Sequence, residues 1–236
     1  MTKKIYIFII ILISNVNFAQ QTNGKFKEKV EIEFELNYLL RLPEKPQGKY
    51  PLMIFLHGAG ERGTDINKVI ANGPLQDKYK EYTKEFAILA PQCPEGQYWD
   101  VEAVYQLIKK IIKDNKNIDT NRIYLTGLSM GGWGSWRLAE KHPEMFAALV
   151  TVCGPAGLPE KREAHLIKDI PTRIFHGALD DVVPVDNSIQ MYQELKSLEA
   201  DVDLTIFKDD NHNSWDSTYS NPELYKWILK QRKTKI

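Results

Sequence analysis

The sequence carries no net charge, with 31 lysines and arginines against 31 aspartates and glutamates over 236 residues. No electrostatic case therefore exists for nucleic acid or an anionic membrane surface as a partner. It also lacks internal repeats, low-complexity tracts and any linker to a second domain. With 43% hydrophobic residues, one α/β domain that buries one large core is the simplest reading. The longest apolar run, at 5–13, is too short to span a bilayer. It follows Lys3 and Lys4 and precedes the polar stretch that ends in Phe18-Ala19-Gln20, the pattern of a secretory signal at 1–19. No cysteine stands at the expected cut, so no lipid anchor is expected there. The domain is then 20–236, secreted or periplasmic, with no membrane contact once the signal is removed.

Strand and helix patterns alternate through the rest of the chain. Val30, Ile32, Phe34 and Leu36 alternate with Glu31, Glu33 and Glu35, which predicts a half-buried edge strand, with Tyr38–Leu42 as its antiparallel neighbour. Leu52–Leu56 is a continuous apolar run of the kind buried on both faces of a parallel sheet. Similar runs recur at 86–90, 122–126, 146–152, 172–176 and 202–207. Helical spacing links Val101, Val104, Leu107, Ile108, Ile111 and Ile112, and further helices are expected over 186–199 and 222–230. The sum is an α/β architecture, an eight-stranded, mostly parallel sheet with helices on both faces. Two strands then separate those that precede Cys93 and Cys153, about 14 Å in all at about 4.8 Å per spacing. A disulfide needs α-carbons within about 7 Å, so two free thiols are expected.

One motif carries chemistry. Gly127-Leu128-Ser129-Met130-Gly131 follows the apolar run that ends at Thr126 and leads into a helical stretch with Trp133 and Trp136. Strand, G-x-S-x-G and helix place a serine hydroxyl at the apex of a sharp turn, with glycines where the backbones close together. A nucleophilic serine needs a base, an orienting acid and an oxyanion hole, all from loops at the carboxyl ends of strands. Among the five histidines, His212 meets that rule, in the polar loop after 202–207. His142 and His165 lie elsewhere, while His57 and His176 precede glycines at strand ends and read as turn-stabilising. The acid belongs after 172–176, where Asp180 and Asp181 are both available and the residues alone do not choose. Asp209 and Asp210 add to an acidic cluster, but no regular calcium-ligand spacing supports a metal. The backbone N–H of Met130 is one expected oxyanion donor, and Ala59 in His57-Gly58-Ala59-Gly60-Glu61-Arg62-Gly63 is the other. That loop lacks the lysine-hydroxyl ending of a phosphate loop and the glycine spacing of a dinucleotide site.

These segments, with Ala90-Pro91-Gln92-Cys93-Pro94, His176-Gly177, Val183-Pro184 and His212-Asn213-Ser214-Trp215, resemble the α/β-hydrolases of the phospholipase/carboxylesterase and dienelactone-hydrolase-like group. Secreted polyhydroxybutyrate depolymerases and feruloyl esterases are the most similar. The resemblance implies Asp180 as the acid, four residues after the histidine of His-Gly, and again Ala59 and Met130 as oxyanion donors. It implies a serine carboxylic ester hydrolase with an acyl-enzyme intermediate and no metal or organic cofactor. The stretch from Pro155 to Asp169, where relatives insert a lid, is short. Trp99, Trp133 and Trp215 lie near the expected catalytic loops, with Tyr98 beside Trp99, and are candidates for a platform under a sugar ring or an aromatic acyl group. The substrate is then a small-molecule or polysaccharide-linked ester, feruloyl, acetyl or short-chain. The alternatives are a serine peptidase of the prolyl-oligopeptidase type, which usually needs an extra gating domain, and a non-catalytic carbohydrate-binding relative.

Overall fold

Uninterrupted apolar runs become the buried strands of one sheet. The computed structural model describes residues 23–28, 32–44, 46 and 48–233, so the expected signal at 1–19 lies outside the described residues. The seven strands are β1 (Tyr38–Arg41), β2 (Tyr50–Leu56), β3 (Ala87–Pro91), β4 (Ile118–Leu128), β5 (Ala148–Val152), β6 (Thr172–Gly177) and β7 (Val202–Phe207). The α-helices are α1 (Lys80–Thr83), α2 (Val101–Asp114), α3 (Met130–Lys141), α4 (Leu158–Glu163), α5 (Asp186–Ser197), α6 (Trp215–Tyr219) and α7 (Pro222–Lys230). In β2, Leu52, Ile54 and Leu56 join one hydrophobic cluster while Met53 and Phe55 join the other. This is the period-two alternation of a strand covered on both faces. Val104, Ile108 and Ile111 of α2, Trp136 and Leu138 of α3, and Met191 and Leu195 of α5 complete the first cluster. Leu224, Tyr225 and Ile228 of α7 belong to the second. The helices therefore lie on both faces of the sheet.

The sheet order is β1-β3-β2-β4-β5-β6-β7, with β1 antiparallel to β3 and every other pair parallel. Among the described residues, no eighth strand forms at 30–36. Val30 and Glu31 lie outside the described residues, and 32–37 adopt no regular secondary structure. Phe34 is exposed. Alternation specifies a strand only where something covers the apolar side. β1 therefore ends the sheet and pairs with β3, not with that segment. The chain leaves β2 for β3 on one side and returns to β4 on the other. The carboxyl ends of β2 and β4, where Leu56 aligns with Gly127, thus flank the point where strand order reverses, the crevice in which such sheets bind ligands.

Helix α3 carries a buried acid on its outer side. Arg137 Nη1 donates to Glu140 Oε2 at 2.8 Å and to Glu163 Oε2 at 2.7 Å. Glu140 Oε1 has no partner, and burial pushes the Glu140 carboxyl up to about 8 despite the nearby guanidinium. A raised folded value means stability that is full below the ordinary 4.5 and lost as pH climbs through about 8. Glu140→Gln, neutral throughout, should match the wild type at pH 5. At pH 9 it should melt several degrees higher, for a difference on the order of 1–4 kcal/mol. Equal melting shifts at both pH values would contradict this.

Candidate active site

Ser129 connects β4 to α3 with φ 52° and ψ −121°, a left-handed conformation that costs about 1–3 kcal/mol and is held by its surroundings. Its N–H donates to Val152 O at 2.8 Å. A Cβ on Gly127 would run into the carbonyl of Gly131, and one on Gly131 into the carbonyl of Leu56. Only glycines let β2, β4 and α3 approach so closely around the serine.

His212 lies in the loop after β7, where Leu179 N–H donates to Asp210 O at 2.9 Å. Its Nε2 is 2.9 Å from Ser129 Oγ and its Nδ1 is 2.8 Å from Asp180 Oδ2. A carboxylate only accepts, so the ring proton sits on Nδ1 and the Nε2 lone pair faces the serine hydroxyl.

Hydrogen bonding distinguishes the two aspartates. Asp181 is exposed. The Asp180 side chain is fully buried, and its Oδ1 accepts the N–H groups of Val182 at 2.9 Å and Val183 at 2.8 Å. Burial alone would raise its pKa, but the bonds from His212 and from the Val183 and Val182 amides outweigh it and hold the carboxyl below its ordinary value.

His176, expected from its place before a glycine to stabilise a turn, also touches Asp180. Its Nε2 donates to Val183 O at 2.9 Å and lies 3.1 Å from Asp180 Oδ2. Its Nδ1 accepts from the Ser188 hydroxyl at 2.7 Å. Burial lowers its pKa, so it stays a neutral donor behind the carboxylate. The signal was present in its spacing of four residues before Asp180, across a tight turn. His57 is a loop brace. Cys93 N–H donates to its Nε2 at 3.0 Å, which leaves the proton on Nδ1 for Gly58 O at 2.6 Å.

Ala59 opens a short 3-10 turn and Met130 opens α3. The N–H groups of first helical residues have no partner inside their own helix. Both residues line, with Ser129, a cavity of about 560 Å³. Its remaining walls are Arg62, Tyr98, Trp133 and Pro155. A larger hollow of about 660 Å³ opens near the other ends of the strands, beside Tyr50 and Arg122, and contains no serine, cysteine or histidine.

The three tryptophans part ways. Trp133 does line the cavity, edge-on to Tyr98 at 5.9 Å between centroids, with its indole N–H donating to Glu160 Oε1 at 3.2 Å. Trp99 is core and not a platform. It is 4% exposed, packs against His57, and donates its indole N–H to His57 O at 3.3 Å. Trp215 begins α6, sits edge-on to His212 at 5.4 Å and packs against the second hydrophobic cluster. It stays half-buried beside the imidazole. Arg62 and Pro155 were not singled out from sequence, because only the folded chain shows which loop residues face the serine.

Cys93 and Cys153 are buried and unpaired. Among the described residues, one cluster has metal-ligating types within 4.8 Å of one another, Cys153, Asp180 and His212. It fits a metal poorly. Asp180 and His212 already bond each other, and burial pushes the Cys153 thiol up to about 12, away from the thiolate a metal needs.

Sheet order, elbow serine and loop-borne partners together define an α/β-hydrolase fold. The chain belongs to the phospholipase/carboxylesterase family, whose model matches residues 90–221. It is 28% identical over 153 residues to the putative esterase NocK of Nocardia uniformis subsp. tsuyamanensis, covering 61% of this chain and 44% of that one. It is 27% identical over 183 residues to the bifunctional acetylxylan esterase/xylanase XynS20E of Neocallimastix patriciarum, covering 75% of this chain and 26% of that one. The chain thus spans less than half of either relative. A solved thermostable esterase superposes with a TM-score of 0.74 at 37% identity, covering 83% of this chain and 59% of that one. The acylaminoacyl peptidase of Pyrococcus horikoshii, at 19% identity, TM-score 0.68 and coverage of 87% and 41%, shares the fold.

Proposed function

We propose that this protein hydrolyses carboxylic esters through Ser129, His212 and Asp180. The observation that carries the reading is the unbroken path from Ser129 Oγ to His212 Nε2 at 2.9 Å and from His212 Nδ1 to Asp180 Oδ2 at 2.8 Å. As Oγ attacks the ester carbonyl, its proton passes to Nε2, and Asp180 fixes the tautomer and stabilises the imidazolium. The tetrahedral oxyanion accepts from the Ala59 and Met130 N–H groups, each contributing a few kcal/mol. The alcohol leaves with the proton from Nε2. Water, deprotonated by the same nitrogen, then attacks the acyl-enzyme and frees the acid.

The family and the esterase relatives favour an ester over a peptide. The filled site favours an enzyme over a non-catalytic binder. Tyr98 and Trp133 suit a sugar or feruloyl ring laid beside the scissile bond, in keeping with the acetylxylan esterase named among the relatives. Export through the segment at 1–19 is part of the same reading. A fluorophosphonate probe should label the protein at Ser129, and a panel of acetyl, feruloyl, short-chain and hydroxybutyrate esters should show turnover where peptides show none. An unlabelled protein, or cleavage of peptides alone, would refute it.

A further inference from the structure

We infer that Arg62 forms a subsite for a carboxylate carried by the ester substrate, an inference that rests on the ester-hydrolase reading above. Of the residues that line the serine cavity, Arg62 alone carries a charge. Arg122, Arg137 and Arg173 each pair with carboxylates at 2.7–3.1 Å. Arg62 pairs with none among the described residues. Its Nε donates to Ala59 O at 2.9 Å and its Nη1 to Gln97 O at 3.1 Å. An arginine has five N–H donors. Two are used here, and the other three have no protein partner among the described residues. The neighbouring acid, Glu61, is turned inward to Asn72 and His57.

Those two carbonyls do more than occupy the guanidinium. They tie it to the two loops that frame the cavity, so the fork is already immobilised and loses little freedom when it binds. An arginine fork matches a carboxylate through paired, charge-assisted bonds. Its position fixes the geometry of the ligand. The N and O of a single residue lie about 3 Å apart, so Arg62 Nε is within about 6 Å of the Ala59 nitrogen that would hold the oxyanion. Gln97 is followed by Tyr98, whose ring meets Trp133 edge-on at 5.9 Å. Nucleophile, aromatic wall and cation thus border one cavity. The substrate class is an ester on a sugar or aromatic ring that bears a carboxylate directly or on a short arm.

The test compares 4-acetoxybenzoate with its neutral, isosteric partner 4-acetoxybenzamide. The ratio of kcat/KM, anion to amide, should fall about tenfold or more in Arg62→Gln, mainly through KM for the anion. Equal losses on both esters would leave Arg62 a clamp between loops and overturn the proposal, as would no change in the ratio. Protection of Ser129 from the fluorophosphonate by 4-hydroxybenzoate, against 4-hydroxybenzamide, gives a binding readout that needs no turnover. An unlabelled wild type refutes ester hydrolysis itself, whereas labelling without preference for the anion refutes only the subsite. Should Arg62→Gln not fold, the wild type decides. KM for the anion must then rise with ionic strength while that of the amide stays level, and parallel behaviour would sink the idea.

Discussion

Ser129→Ala should bring ester turnover down by on the order of a millionfold and leave the fold in place. Alanine removes one oxygen, which is bonded to the Nε2 of His212 at 2.9 Å. The backbone bond from residue 129 to Val152 O and the glycine contacts of the turn are untouched. The strained φ of 52° persists, and alanine tolerates it no worse than serine does. Melting temperature and circular dichroism should therefore be unchanged within error while kcat vanishes and fluorophosphonate labelling is lost. Retained labelling at another residue would show that a different nucleophile does the work.

The second large effect separates the two aspartates. Asp180→Asn should lower kcat by about 10,000-fold, as the same exchange does in other triads, whereas Asp181→Asn should stay within about twofold, the size of a surface change. Asp180 accepts three N–H groups, from Val182 and Val183 on one oxygen and from His212 on the other. An asparagine has only one oxygen to offer. If that oxygen keeps the two backbone amides, its NH2 faces His212 Nδ1 and forces the ring proton onto Nε2, opposite the serine, where no proton can be accepted. If it turns round, its NH2 meets two backbone donors. Either orientation fails. Similar rates for the two variants would remove Asp180 from the mechanism.

Much of this was legible before any coordinates existed, for identifiable reasons. β2 is continuously apolar because helices cover both faces, and Ser129 is framed by glycines because three backbones crowd around it. Both constraints act on residue type directly. The acid was ambiguous because Asp180 and Asp181 are identical in chemistry and differ only in direction. The direction comes from the turn that gives Asp180 the amides of residues 182 and 183. Trp99 is easily misread as a platform for a related reason. Indoles near the expected catalytic loops look alike in sequence, yet that of Trp99 donates to His57 O just past β2 while that of Trp215 meets His212 edge-on. Over its described residues the segment at 30–36 forms no strand, because alternation reports a tendency and Phe34 stays partly exposed.

Among the described residues β7 has a neighbour on one side only, and most of its own residues are at least partly exposed. His212, the proposed proton carrier, hangs from that strand, while Ser129 hangs from the centre of the sheet. Margin and middle therefore differ in how much packing must be undone to displace them. A slight loosening at the rim would part imidazole from hydroxyl while the interior stayed intact, so competence is a more fragile property of this molecule than shape.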